Sequence, residues 1–358
     1  MCSELNLRIK LSQILFPILI IVLALLINAL IMLACGYQPI KSFVAMYQGA
    51  FGDARQVTEI YVKACPLLLT GLAVAFAFRC GVWNIGAEGQ YVVGTLVTTW
   101  IGTSIVNLPS LLLIPLVLTA GFIAGGFWGA IAGLLKAYRG VQEVISTIML
   151  NFIALALVSY AVDGGPLQEA TESYQQSERI TANALLPRLI PKALIRHNRF
   201  HLGIPLALLI GGGMYFLLFY TVLGYQVRAV GQNQTAARVA GINVSRNIII
   251  TMLISGGLAG LAGAVELTGL SPYRLYQNPP GYGYTAIAVA LLGRLHPIGV
   301  IFSALLFGAL QAGSEEMQMV AGVPSKLTWV TQATVLLLVL GATMYEAKRR
   351  GKFRPLSV

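Results

Sequence analysis

Few residues in this chain carry side chains that can do chemistry. One group lies in the glycine-rich segment 81–90, GVWNIGAEGQ, and consists of Asn84, Glu88 and Gln90. Glu88 is the only acidic residue from 60 to 142. An amide pair and a carboxylate can hydrogen-bond to a polar solute. The alternative is that Glu88 only reaches water, because an unpaired charge at membrane depth costs roughly 2.5–3.5 kcal/mol.

A second polar group opens the apolar segment 141–162. Glu143, Thr147 and Asn151 recur in steps of four and therefore share one helix face. A polar stripe in an apolar helix is expected to point away from lipid. It faces either a wet path or neighbouring helices, where such hydrogen bonds contribute about 0.6 kcal/mol each. For Asn151 both alternatives stay open.

A third group is the polar island 223–247, which separates two long apolar segments. It contains basic residues and no acidic residue. Asn233 lies in a run of short polar side chains that cap free N–H groups, so a short helix over 236–239 is predicted. Gly241 then provides a stop. Such a helix suits a groove on a partner protein; the alternative is an ordinary basic loop on the cytoplasmic side of a membrane.

Signatures of catalysis and of metal binding are missing from the sequence. His197 and His201 are four residues apart, but no third ligand is in view, so no metal site is expected. The four cysteines show no C-x-x-C spacing. Neither a P-loop nor the H-E-x-x-H and G-x-S-x-G patterns occur. Because Glu88, Glu143 and Glu266 are also scattered, the chain is not expected to be an enzyme or to bind a cofactor.

The elements that must position these residues are membrane helices. The 358 residues are 57% hydrophobic and only 10% charged, whereas a soluble domain carries about 25% charged residues. The net charge of +11 fits cytoplasmic loops and lipid headgroups better than nucleic acid. We therefore predict an all-α polytopic membrane protein that forms a single transmembrane domain over 1–358, with about ten crossings and both termini in the cytoplasm.

The apolar runs set the predicted crossings. The spans cover about 14–34, 62–78, a stretch ending near 106, 111–135, 141–162, 202–222, 248–270, a short run to 292, a stretch ending near 312, and 327–345. The run before 292 is too short to cross alone, so 281–297 is predicted to contain a half-helix. The segment 81–90 is predicted to break its helix, with Asn84 as the cap of the helix that follows.

Segments outside the spans have their own patterns. Residues 36–60 are predicted to form an amphipathic surface segment on the outer side, and Pro66 is expected near the start of the second span. The outer loop 163–200 is predicted to be a partly helical cap, and Glu315 and Glu316 are placed in an outer turn. Tyrosines after residue 272 form an interfacial belt or contact an incoming protein.

Glycines at spacing four mark a packing face on the fourth span: Gly121, Gly125, Gly129 and Gly133. Such faces let helix backbones approach closely, either within the chain or against a second membrane subunit. The seventh span repeats the theme with Gly256, Gly260 and Ala264.

The polar island resembles the coupling loop of ABC importer permeases that carry branched-chain amino acids, ribose and nucleosides. The resemblance rests on these residues: Gly224, Arg228 to Gly231, Asn233, Ala236, Ala237, Arg238 and Ala240 to Ile242. Three further stretches, 83–90, 141–151 and 286–294, are most similar to nucleoside-type permeases served by binding proteins of the basic membrane lipoprotein type. The similarity extends from about the second span to the C-terminus.

This resemblance implies a type II-like importer permease with broken helices in the bacterial cytoplasmic (inner) membrane. ATP would be bound by a separate ATP-binding subunit that docks on the loop 223–247, through Arg228, Asn233, Ala236, Ala237, Arg238 and Gly241. The further partners implied are an extracytoplasmic binding protein and a second, different permease.

Within such a permease Asn84, Glu88, Gln90 and Asn151 would belong to the solute path or its gate. Ala237 is expected to face the partner, so that an aspartate there leaves folding intact. The rival function is an ion-coupled carrier or a channel, which does not need a docking helix for an ATPase.

Overall fold

In the computed structural model, the long regular elements of the described part of the chain are all helices. The structure describes residues 22–338 without 24, 171–173, 192, 196–197, 271, 325–326, 328, 331–332 and 335–336. Extended backbone pairing is limited there to isolated bridges. The all-α class is therefore confirmed.

The helices are numbered in chain order. They are α1 (Leu25–Ala34), α2 (Pro39–Phe51), α3 (Ala54–Arg79), α4 (Ala87–Ser104), α5 (Ser110–Arg139), α6 (Glu143–Val162), α7 (Gly203–Tyr220), α8 (Val222–Gln232), α9 (Gln234–Val239), α10 (Val244–Gly269), α11 (Tyr282–Leu292) and α12 (Pro297–Ala321).

Six of these helices, α3, α5, α6, α7, α10 and α12, are long and apolar enough to cross a membrane. Two shorter apolar helices, α1 and α11, accompany them. The most apolar stretches of α3 and α10 are 89% and 78% buried, against 28% for α5, so α3 and α10 are the inner helices. The first predicted span is described only from residue 22, and most of 327–345 lies outside the described residues.

The chain divides into two compact units, one formed by Met1–Val57 with Ala309–Val358 and the other by Thr58–Gly308. In the smaller unit, α2 packs on the end of α12, where a side chain on Gly49 would lie 3.2 Å from the Gly313 Cα. The predicted outer turn at Glu315 and Glu316 is wrong, because α12 continues to Ala321. Without a glycine or proline between 314 and 320, nothing in the sequence ends the helix there.

The larger unit is built on direct backbone contact between α5 and α10. A side chain on Gly125 would lie 2.7 Å from the Gly260 Cα, and one on Gly129 would lie 3.1 Å from the Gly256 Cα. Gly121 and Gly133 continue the same face toward Ala264 and Met252. Because α10 covers this glycine face, the face is not available for packing against a second permease. The prediction that it could contact a second membrane subunit is therefore wrong.

The start of α3 differs from the sequence prediction. The helix begins at Ala54, so Pro66 lies inside it and not near its start. Asp53 explains the earlier start, because its Oδ1 accepts a 2.8 Å hydrogen bond from the Gln56 N–H and satisfies a free donor of the first turn. The predicted surface segment 36–60 is therefore not one element. Its first part contains the helix α2, and its residues from Ala54 onward belong to α3.

The long loop after α6 is mostly irregular in its described part. Its regular structure is limited there to the three-residue 3-10 turn Ala182–Ala184. Backbone bridges hold it, including Gln176 with Tyr276 and Arg188 with His201. The helical part of the predicted cap is thus limited, among the described residues, to this one turn, and Pro166, Pro187 and Pro191 interrupt helix formation along the loop.

Candidate functional site: two broken helices, a cavity and a short exposed helix

The break between α3 and α4 covers residues 80–86, as the glycines of this segment predicted. Asn84 does not cap α4, whose N-cap residue is Gly86. It pairs instead with Gln90 through two side-chain hydrogen bonds of 2.9 and 3.1 Å, and donates a third, of 2.8 Å, to the Ser255 hydroxyl on α10. Both amides are buried, so this pair attaches the break to an inner helix.

Glu88 lies in the first turn of α4 and points at the first turn of α11. Its Oε2 accepts a 2.7 Å hydrogen bond from the Gly283 N–H. A helix start carries unsatisfied N–H groups and a partial positive charge, so a carboxylate is stabilised there. The side chain is only 2% exposed, and the alternative that Glu88 reaches solvent is therefore wrong for this conformation.

Asn151 binds the same break from α6. Its Oδ1 accepts from the Gly89 N–H at 2.8 Å, and its Nδ2 donates to the Ile85 carbonyl at 3.0 Å. One turn before Thr147, Glu143 accepts from the Trp83 N–H at 3.3 Å and forms an ion pair with Lys136. The polar stripe of α6 therefore faces other parts of the protein. We call Asn84, Glu88, Gln90 and Asn151 the junction network.

The opposite end of α11 is held by Arg79, the last residue of α3. Its Nε donates a 2.9 Å hydrogen bond to the Leu295 carbonyl. Arg294 and Leu295 both have φ of 54°, a left-handed conformation that costs energy for residues other than glycine. The two broken segments are thus joined at both ends of α11. The contribution of Arg79 was missed, because a basic residue at a helix end is read first as a marker of the membrane surface.

A cavity of about 310 Å³ borders the start of α11. Tyr91, Glu266 and Tyr282 line it, together with most residues of the segment 272–280. The two tyrosine rings meet edge to face at 6.0 Å between centroids. Both tyrosine side chains interact with the Glu266 carboxylate, as does the charge of Lys63. The sequence signal for this site was an acidic residue inside an apolar helix, but its partners come from distant segments.

The polar island contains two helices. The predicted short helix is confirmed as α9, with the Asn233 side chain accepting a 3.0 Å hydrogen bond from the Ala236 N–H and Gly241 at φ of 82° after its end. The preceding helix α8 was not predicted. Arg228 on α8 donates to the Gly224 carbonyl and lies 5.1 Å from the Phe219 ring, so it braces α8 on α7.

Ala237 does not face outward, which corrects the expectation that it meets a partner. It is 4% exposed and packs in the hydrophobic core of the chain, whereas Val239 is 86% exposed. Ala236 and Arg238 are exposed as well. A helix of six residues has too few turns for the sequence to show which face is buried. The free surface of α9 is therefore formed by its other five residues, Gln234, Thr235, Ala236, Arg238 and Val239.

His201 has a structural position. Its Nδ1 accepts a 3.1 Å hydrogen bond from the Gly203 N–H, and the ring is buried. Burial lowers the pKa of the imidazole to about 4, and the nearby charges of Arg188 and Arg199 act in the same direction. His197 lies outside the described residues. Within the part of the chain that the structure covers, histidine, cysteine and acidic side chains do not gather into a metal-binding group.

Comparison with known proteins gives the class of a chain that has these broken helices, this internal polar network and this exposed short helix after α8. Residues 56–345 match the family described as "Branched-chain amino acid transport system / permease component". The chain belongs to this family. It is a multi-pass membrane protein that acts as the permease component of a transport system and not as an enzyme, as the sequence predicted.

Several relatives match nearly the whole chain. The guanosine ABC transporter permease protein NupP of Bacillus subtilis is 39% identical, over 96% of this chain and 99% of its own length. The nucleoside ABC transporter permease protein NupB of Lactococcus lactis is 36% identical, over 92% and 91%. The glucose ABC transporter permease protein TsgB13 of Haloferax volcanii is 34% identical, over 94% and 89%. These matches support an ABC importer permease over an ion-coupled carrier or channel.

Proposed function

We propose that this chain is the permease subunit of an ATP-driven importer that moves nucleosides. The observation that carries the proposal is the end-to-end similarity to NupP and NupB, which are named for guanosine and nucleosides. TsgB13 is named for glucose, so the similarity to it widens the class of candidate solutes to small compounds with a hydroxylated ring. A nucleoside belongs to that class through its ribose.

The proposed topology has ten crossings, with both termini in the cytoplasm and the protein in the cytoplasmic membrane. Broken helices follow the second and seventh spans, α3 and α10, and they meet where Glu88 contacts Gly283. That arrangement supports inverted repeats of spans two to five and seven to ten. The loop 163–200 then lies outside, and the loop 223–247 lies inside.

The proposed assembly has four kinds of component. This chain binds no cofactor, and ATP is bound by a separate ATP-binding subunit, while an extracytoplasmic binding protein delivers the solute. A second, unlike permease is proposed as the membrane partner. Support comes from a second guanosine permease of Bacillus subtilis, NupQ, which is 28% identical over 72% of this chain. One organism therefore has two permeases, both named for guanosine, that resemble this chain to different degrees.

We assign the junction network to the gate of the solute path. Its four side chains are at most 2% exposed, and their hydrogen bonds join α4, α6, α10 and the start of α11. For a solute to pass along this line, these bonds must exchange partners. A hydrogen-bonded network that can open and close without leaving a polar group unpaired fits such a gate.

The transport proposal is tested in proteoliposomes that contain this chain with its membrane partner, ATP-binding subunit and binding protein. We expect uptake of radiolabelled guanosine that needs ATP, the binding protein and this chain. Unlabelled uridine and glucose added in excess distinguish a broad nucleoside path from a sugar path. Uptake that continues without ATP, or that occurs only for amino acids, would refute the proposal.

The free face of α9 is the proposed docking surface for the ATP-binding subunit. Val239→Asp places a charge where the fold has open space, so the permease is expected in the membrane at its normal level. In a docked interface the same charge is buried unpaired, at a cost of several kcal/mol. Co-purification of the ATP-binding subunit and uptake should both be lost.

Two further variants control the docking experiment. Val106→Asp makes the same change at a half-exposed position after α4, on the proposed outer side, and should leave docking intact. Ala237→Asp charges a buried position and should instead lower the amount of folded permease. A Val239→Asp permease that retains its ATP-binding subunit would mean that docking occurs elsewhere.

A further inference from the structure

We propose that the cavity beside α11 is a solute-recognition site, in which the carboxylate of Glu266 accepts hydrogen bonds from ring hydroxyls of the solute. The inference rests on the proposed function, because it takes its solute class from there. It adds a binding site whose residues were not among those predicted to lie on the solute path.

The first support is an unsatisfied polar atom. Glu266 is located near the end of α10, and its Oε2 is buried with no hydrogen-bond partner among the described residues. A buried polar atom without a partner is costly, so native proteins pair such atoms with protein, water or ligand. Glu266 is one of the residues that line the cavity, and a hydroxyl that reaches Oε2 from there would supply the missing donor.

The second support is the chemistry of the wall. Tyr91 and Tyr282 interact with the same carboxylate and hold it in place, and their rings form an apolar corner. Pockets for small molecules combine apolar and aromatic walls with a few fixed polar groups. The volume of about 310 Å³ is at the lower end of the range for such pockets, about 300–1,000 Å³. The site suits a compact solute that carries a hydroxylated ring.

The charges around the cavity select a neutral solute. Arg199 and Arg274 line it, but each is already in an ion pair, with Glu59 and Glu169 respectively. Lys63 contributes its charge near Glu266. The cationic groups are thus matched by carboxylates, and among the described residues that line the cavity a phosphorylated solute would find no cation without a nearby carboxylate. Neutral sugars and nucleosides donate hydrogen bonds through vicinal hydroxyls, and a carboxylate is a strong acceptor for them.

The position of the cavity links recognition to the gate. Tyr282 lines the cavity, and the next residue, Gly283, donates the hydrogen bond to Glu88. The chain enters α11 through Gly281 at φ of 76°, directly after two prolines, Pro279 and Pro280, that line the cavity. A solute that moves Tyr282 therefore acts on the first turn of α11, where the junction network is attached.

The test measures uptake by the complete transporter in proteoliposomes, with guanosine and with 2′,3′-dideoxyguanosine, which lacks both ring hydroxyls. All variants use the same binding protein, so its own preference cancels when permease variants are compared. Glu266→Gln should lower the kcat/KM for guanosine about tenfold and leave that for the dideoxy compound nearly unchanged. Glu178→Gln, an exposed acidic position in the outer loop, should change neither value.

The outcomes separate this inference from the proposed function. If wild-type transporter moves no nucleoside, the proposed function fails. If it moves guanosine and the ratio of the two kcat/KM values stays the same in Glu266→Gln, the inference is overturned. Should Glu266→Gln fail to assemble, Tyr282→Phe replaces it, because this variant keeps the ring and removes only the hydroxyl that interacts with the carboxylate. Tyr282→Phe should also lower the kcat/KM for guanosine relative to that for the dideoxy compound. If this ratio is unchanged in Tyr282→Phe, the inference is overturned.

Discussion

The Glu88 carboxylate and the Gly283 N–H form a buried 2.7 Å hydrogen bond between residues 195 positions apart in the sequence. The bond joins the starts of two broken helices, α4 and α11. Because each helix start carries free N–H groups, one carboxylate between them balances partial positive charge from both sides. Within the junction network, Glu88 is the member that hydrogen-bonds to the described backbone of α11.

Gly283 is the position at which this contact tolerates no side chain. A Cβ there would overlap the backbone of Glu88, which cannot rotate away. We expect Gly283→Ala to lower the free energy of unfolding by about 3 kcal/mol, at the upper end for overpacking, because backbone has to move. Thermal unfolding of the detergent-solubilised protein measures the change. Gly212→Ala on α7, where nothing lies within 4 Å, is the matched control and should be neutral or slightly stabilising.

Glu88→Gln keeps the size of the side chain and removes its charge. The amide offers one acceptor oxygen, and its NH2 group faces N–H donors, so a loss of about 1–3 kcal/mol in stability is expected. Guanosine uptake at matched membrane level should fall with it, since the gate assignment places Glu88 where partners exchange. Glu178→Gln is the exposed control. If the Glu88→Gln variant shows wild-type uptake and a wild-type melting temperature, the assignment of Glu88 to the gate is wrong.

The short helix α9 and the helix break at 80–86 are features that could be predicted from the sequence alone. Asn233, Gly241 and the glycines of 81–90 act on neighbouring backbone, so their effects were predictable from local sequence. The contact of Glu88 with Gly283 and the cavity at Glu266 were not, because their residues come together only in the folded chain. The orientation of Ala237 was wrong for a different reason: a six-residue helix carries too little periodicity to define a buried face.

The buried imidazole of His201 predicts a pH dependence of stability. Its pKa falls from 6.5 in the unfolded chain to about 4 in the folded one, so between these values the unfolded state binds more protons. Stability from this group is complete above pH 6.5 and is lost as the pH falls toward 4. At pH 5 the loss is about 2 kcal/mol. Melting temperatures at pH 7.5 and pH 5 measure it.

His201→Gln provides the comparison for this pH effect. Glutamine does not titrate in this range, and its oxygen can accept from the Gly203 N–H in place of Nδ1. Other groups also titrate between pH 5 and 7.5, so the prediction concerns the difference between wild type and variant. The variant should show the smaller decrease in melting temperature. Equal decreases would mean that His201 is protonated in the folded protein.

The contact between α5 and α10 restricts how mutations in this chain can be compensated. In most cores, a larger residue at one position can be offset by a smaller residue opposite it. Gly125 faces Gly260, and Gly129 faces Gly256, so neither partner has a side chain left to shorten. A methyl group gained on one helix therefore has no second-site suppressor on the other. Selections for revertants of Gly125→Ala should return glycine at 125 itself.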